Sequence, residues 1–156
     1  MTVERVDLAG AQASAARGEL AAWVQAYLRS GAWANLPLAE GLLRQRRWWL
    51  GPVRVSLDGL IRVVGDEPGM AYPIPSAWWQ EKVGRLADGM HDVATLPPLI
   101  VEARPEGLSV RDGNHRLAAM IRKGWESGWI VIWCNTEADY LVLAQRFAPS
   151  HVQPPD

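Results

Sequence analysis

The chain has one cysteine, Cys134, and one phenylalanine, Phe147. A lone thiol excludes an internal disulfide and fits a reducing cytosol, so a cytoplasmic protein is expected. No apolar run reaches 18 residues, and the opening MTVERVDLAG lacks the basic and apolar regions of a secretory leader, so no membrane partner is expected. Charge of one sign is also missing: 16 Lys and Arg face 17 Asp and Glu, for a net charge of -1. That balance gives no global attraction to nucleic acid, leaving only a local basic patch open. Internal repeats and low-complexity blocks are absent as well.

What remains is an ordinary globular composition, 49% hydrophobic and 21% charged, in a chain of 156 residues that suits one domain with a proper core. Nine tryptophans are the exception, at 23, 33, 48, 49, 78, 79, 125, 129 and 133. Most such rings fill cores, although a stacking platform for a base or sugar uses the same side chain. Adjacent residues cannot both face one core, so one member of Trp48-Trp49 and one of Trp78-Trp79 is expected near the surface or in a cleft.

Apolar spacing predicts a helix over 14–30, with Leu20, Trp23, Val24, Tyr27 and Leu28 inward and Gly31 ending it. A second helix follows over 36–46, with Asn35 as its cap and Pro37 in its first turn. Two β-like runs, 52–57 and 60–64, flank Asp58-Gly59 and predict a hairpin; a strand followed by a short helix is the alternative. Residues 65–75 read as a loop. Ser76 then caps a helix to about Ala87, with Trp79, Val83 and Leu86 on one face. Strands over 99–103 and 108–111 make a second hairpin, and a helix from Asn114 or His115 runs to Lys123, stopped by Gly124. Trp129–Trp133 is a continuous apolar strand, expected to be central. Asn135 or Thr136 caps a last helix. The pattern predicts a small α+β domain, a mixed sheet with packed helices, over 51–148, with a helical extension over 1–50 and a tail over 149–156.

Chemistry concentrates in Asp112-Gly113-Asn114-His115-Arg116. A strand, a glycine turn and a helix start bring unpaired amides and a positive dipole end together, which suits a phosphate. Arg116 offers a charged fork for phosphate oxygens, the alternative being a side chain that is solvated or paired to Asp112 or Glu126; His115 offers a hydrogen-bond donor or an acid for the leaving group, or else fixes the turn. Asn114 is either a cap or a ligand contact. Asp112 is a candidate Mg²⁺ ligand or a turn-former. Asp66 and Glu67, in the Gly- and Pro-bounded loop, are candidates to activate an acceptor hydroxyl, or else simply solvated. His91-Asp92 suits a helix end better than a metal, and Arg44–Arg47 a solvated helix end better than a nucleic-acid grip.

The run Leu96-Pro97-Pro98-Leu99-Ile100-Val101, the segment 107–119 around DGNHR, Gly124 and the apolar strand after it resemble the ParB/sulfiredoxin superfamily over roughly residues 52 to 134. The resemblance implies a ParB/sulfiredoxin-like fold that binds a nucleotide (ATP, ADP or CTP), with its phosphates over Gly113, Asn114, His115 and Arg116. Sulfiredoxins carry a catalytic cysteine before the His-Arg pair, where Asn114 stands here. Partition proteins add DNA-binding and dimerisation domains, for which the residues after Asn135 are too few. The motif is nearest to the Asp-Gly-His-His-Arg of free-serine kinases. It therefore implies a Mg²⁺-assisted phosphotransferase for a small hydroxyl-bearing molecule; a non-catalytic nucleotide-binding regulatory or DNA-associated module is the alternative, and a nuclease a weaker one.

Overall fold

The structure, a computed structural model, describes residues 5–147; the expected tail over 149–156 lies outside the described residues. Five strands make the main sheet: β1 (Trp48–Ser56), β2 (Leu60–Arg62), β5 (Leu99–Arg104), β6 (Gly107–Asp112) and β7 (Ser127–Cys134), in the order β1-β7-β5-β6-β2. Two short strands, β3 (Val64–Gly65) and β4 (Tyr72–Pro73), pair separately, at the start of the expected loop and within it. The sheet is mixed. β1–β7 and β5–β6 are antiparallel, whereas β5–β7 and β2–β6 are parallel.

Side-chain alternation explains the layers. Along β7, Ile130 and Ile132 face one side while Val131 and Trp133 face the other; Ile100 in β5 joins the second set, and Leu99 and Val101 the first. Both faces are apolar, so both need cover. Helices α4 (Ser76–Gly89) and α5 (Asn114–Arg122) cover one face with Trp79, Val83, Leu117 and Met120. Helices α1 (Leu8–Ala16), α2 (Leu20–Leu28) and α3 (Leu36–Leu42) cover the other with Trp23, Val24, Tyr27 and Leu28. Without that second layer Ile100 and Val131 would meet water, at about 1.5–3 kcal/mol each. The N-terminal helices therefore complete the core. α6 (Glu137–Phe147) packs beside β1 and β7 through Tyr140, Leu143 and Phe147.

The fold class is the α+β sheet with packed helices that the sequence predicts, and the second hairpin, β5–β6, forms with Arg104 opposite Gly107. Two local expectations are corrected. The helix predicted over 14–30 is two, broken where Gly18 adopts φ 73°, and Asp7 caps the first by accepting from the Gly10 amide at 2.9 Å. The Asp58-Gly59 hairpin does not form. β1 and β2 lie at opposite edges of the sheet, joined by a single 3₁₀ turn over Leu57–Gly59. Leu57 is buried and its amide donates to Glu126 O at 3.0 Å, which carries the chain across the sheet end. Gly59 does not take the positive φ that a tight hairpin turn requires. Of the tryptophan pairs, Trp78 is 72% exposed and Trp79 3%, as alternation demands. Trp48 and Trp49 are both half-buried, because each finds a core on its own side of the sheet.

Candidate functional site

The turn from β6 into α5 admits only glycine at 113. Its φ is 104°, and a Cβ there would overlap Leu99 Cδ2 and press on Arg116 Nη2 at 3.1 Å. The first intrahelical bond of α5 runs from the Leu117 amide to Gly113 O at 2.8 Å, and no side chain caps the helix. The amides of Asn114, His115 and Arg116 thus precede the ladder, at the positive end of the dipole. The three residues line a cleft of about 410 Å³. Tyr27, Trp33 and Asn35 form one wall, and Val64, Lys82, Leu86 and His115 line the rest.

Beneath the turn lies a buried polar network. Asp112 Oδ2 accepts from the Tyr27 hydroxyl at 2.7 Å and from Arg116 Nη2 at 3.4 Å, and Oδ1 accepts from Asn35 Nδ2 at 3.0 Å. Arg116 also donates to Tyr27 Oη and to Pro97 O, each at 2.6 Å, and its guanidinium sits 4.8 Å from the Trp33 ring centroid. Burial pushes the Tyr27 pKa up, partly offset by Arg116, so the phenol keeps its proton and remains a donor to Asp112.

These contacts revise three expectations. The terminal nitrogens of Arg116 are committed to protein partners and the side chain is 3% exposed, so it is not a free fork for phosphate. It lies four residues after Asp112, and Tyr27 from α2, with Trp33 from the turn that follows α2, closes over it. Both oxygens of Asp112 are likewise engaged. Among the described residues no group of three His, Cys, Asp or Glu is placed to hold a metal. Asn114 does not cap its helix, and its side-chain amide is taken up by backbone partners. Its Oδ1 accepts from the amides of Val63 (2.9 Å) and Val64 (3.3 Å), and its Nδ2 donates to Val110 O at 2.9 Å, tying the chain after β2 to the helix start.

His115 is half-buried against Trp79, with ring centroids 4.4 Å apart. Its pKa is pushed down to about 4, chiefly by burial and further by the charges of Lys82 and Arg62. At neutral pH the ring is uncharged and offers one N–H donor. Asp66 and Glu67 do not line the cleft. Asp66 accepts from Ser76 Oγ at 2.7 Å and Gln80 Nε2 at 3.1 Å, and the Ser76 bond chiefly holds its pKa below the usual range. Glu67 pairs with Arg62, which lowers its pKa and whose guanidinium covers Trp79 at 5.1 Å. Both carboxylates stand on the loop next to Val64, beside the site but outside it. Elsewhere, Asp92 caps the following 3₁₀ turn Val93–Thr95 rather than the end of α4, and Arg47, expected to be solvated, donates to Leu42 O and Gly41 O at the end of α3.

Sequence reasoning missed Tyr27, Trp33, Asn35 and Lys82. Tyr27 reads as a core position and Asn35 as a helix cap, which both also are. Nothing local announces that residue 27 reaches residue 112, 85 positions away.

No protein-family model matches the chain, and no curated protein matches it. Among solved structures, the chain is similar to the C-terminally truncated chromosome-partitioning protein ParB from Caulobacter crescentus complexed with CTP-γ-S, with a TM-score of 0.40 and 20% identity over 68% of this chain and 55% of that one. It is also similar to sulfiredoxin from Arabidopsis thaliana, with a TM-score of 0.37 and 21% identity over 61% of this chain and 97% of that one. The chain thus spans about half of the partition-protein structure. At this identity the likeness concerns the fold and assigns no residue roles.

Proposed function

We propose that the protein binds a nucleoside polyphosphate, with the phosphates on the amides of Asn114, His115 and Arg116. One observation carries this reading: a glycine turn opens an uncapped helix into a cleft of about 410 Å³ beside a lysine. Unpaired amides and a dipole end favour an anion, and the Lys82 ammonium supplies a point charge on the same cleft. With Arg116 held below the floor, and Arg111, which also lines the cleft, paired with Glu102 at 3.2 Å, Lys82 is the unpaired cation on the cleft among the described residues. His115, neutral at pH 7, contributes an N–H. A reducing cytosol is the compartment that the single buried cysteine fits.

Phosphoryl transfer to a small hydroxyl is the second reading, and it rests on the likeness of Asp112–Arg116 to the serine-kinase motif. Such transfer is mainly positioning and charge neutralisation, with a carboxylate to orient the acceptor. Among the described residues, the one carboxylate that lines the cleft, Asp112, is bonded on both oxygens. Asp66 and Glu67 remain ionised at neutral pH, the form a base needs, and would have to leave Ser76 or Arg62 to reach an acceptor. The donor set does not fit a protein-held Mg²⁺, so any magnesium arrives with phosphate oxygens and water as its ligands. These observations favour binding over turnover.

Phosphorus NMR separates the two. ATP, ADP and CTP are incubated with the protein and Mg²⁺, alone and with panels of amino acids and sugars. Binding without consumption supports the module, and acceptor-dependent consumption supports the transferase. Binding of no nucleotide removes both.

A further inference from the structure

We infer that Trp33, contributed by the N-terminal helical segment, is the seat for the planar ring of the bound nucleotide; the inference deepens the reading above and rests on it. Trp33 differs from its aromatic neighbours. Trp23 and Tyr27 are fully buried and stack on each other, with centroids 5.2 Å apart and planes within 4°. Trp33 is partly exposed and lines the cleft.

Its position is fixed by backbone. It ends the 3₁₀ turn Gly31–Trp33, where its amide donates to Ser30 O at 3.0 Å, the Ala34 amide to Gly31 O at 3.2 Å, and the Asn35 amide to Leu28 O at 2.7 Å. Its ring is backed by the Arg116 guanidinium at 4.8 Å, itself held by Tyr27, Asp112 and Pro97. An indole that lines the cleft and packs against a held guanidinium is suited to take a flat ring by stacking. The cleft also exceeds the need of an anion alone. Its volume is that of a small-molecule site, and Ala32, Leu86 and the Trp33 ring add apolar lining that an anion alone does not need. A phosphate on α5 with its ring against Trp33 uses both the amides and the apolar lining.

The test compares nucleotide with the same charge lacking a ring. Calorimetric titrations of ATP, CTP and inorganic tripolyphosphate are run on the wild type and on Trp33→Ala, Trp33→Leu and Trp33→Phe. Trp33→Ala and Trp33→Leu are expected to weaken nucleotide binding by about tenfold or more, as loss of a base–aromatic stack does, while tripolyphosphate changes by less than about threefold. Trp33→Phe, which keeps a ring, is expected to hold most of the nucleotide affinity and guards against a folding artefact. Equal losses for nucleotide and tripolyphosphate, or no loss in Trp33→Leu, overturn the inference. So does a wild type that binds tripolyphosphate but no nucleotide, which leaves the anion site standing. A wild type that binds neither overturns the proposed function itself.

Discussion

Replacing Arg116 by alanine separates a buried strut from an exposed phosphate ligand. In the structure Arg116 is 3% exposed and Asp112 12% at the side chain, and the substitution removes the one cation facing that carboxylate. Breaking a buried ion pair by deleting one partner costs about 3–5 kcal/mol, because the remaining charge is stranded. Tyr27 and Asn35 still donate to Asp112 and offset part of that, so a loss of about 2–4 kcal/mol is expected. Urea unfolding reads it directly: the midpoint falls by about 1–2 M with the slope unchanged. Replacing the pair together, as Asp112→Asn with Arg116→Met, should recover much of the loss, since no unpaired charge is then buried. A free phosphate fork would behave in the opposite way. A midpoint in Arg116→Ala within about 0.5 kcal/mol of wild type, the usual range for a surface change, would refute the buried network.

Gly113→Ala should cost about 3 kcal/mol or more, adding left-handed backbone strain to overlap with Leu99; a cost below about 1 kcal/mol in urea unfolding contradicts the assigned turn. Asn114→Ala leaves the Val63 and Val64 amides and Val110 O without their partner, so a loss of about 1–3 kcal/mol is expected. Hydrogen exchange at those two amides should quicken, and unchanged protection there would count against the tie. His115 sets a pH dependence. Its folded pKa, about 4, lies below the ordinary 6.5, so the unfolded chain binds more protons between those values and stability falls as pH drops through that window. Melting curves from pH 7 to pH 4.5 should show a steeper decline for wild type than for His115→Gln; parallel declines would remove the assignment.

Where a local pattern answers to a local cause, the sequence was readable. Gly113 announces its turn because the chain there must go left-handed, and Trp129–Trp133 announces a central strand because both sheet faces are covered. The β5–β6 hairpin follows from its own turn at 104–107. Asp58-Gly59 misled because burial of Leu57 at the sheet end outweighs the preference of two turn residues. The site was legible on the α5 side alone. Its other wall comes from Tyr27, Trp33 and Asn35, whose contacts with Asp112 and Arg116 depend on α2 docking across the sheet. That docking also decides the fate of Arg116, since a guanidinium next to a glycine turn looks exposed until a tyrosine and a tryptophan close over it.

The central claim is that an anion rests on the first amides of α5. A nitrogen–proton correlation spectrum of isotope-labelled protein, titrated with tripolyphosphate and with ATP, measures it residue by residue. The largest shifts are expected at the amides of Asn114, His115 and Arg116, saturating together and accompanied by a rise in the His115 pKa. Shifts centred elsewhere, such as on the Arg46–Trp48 stack, with those three amides unmoved, would contradict the account.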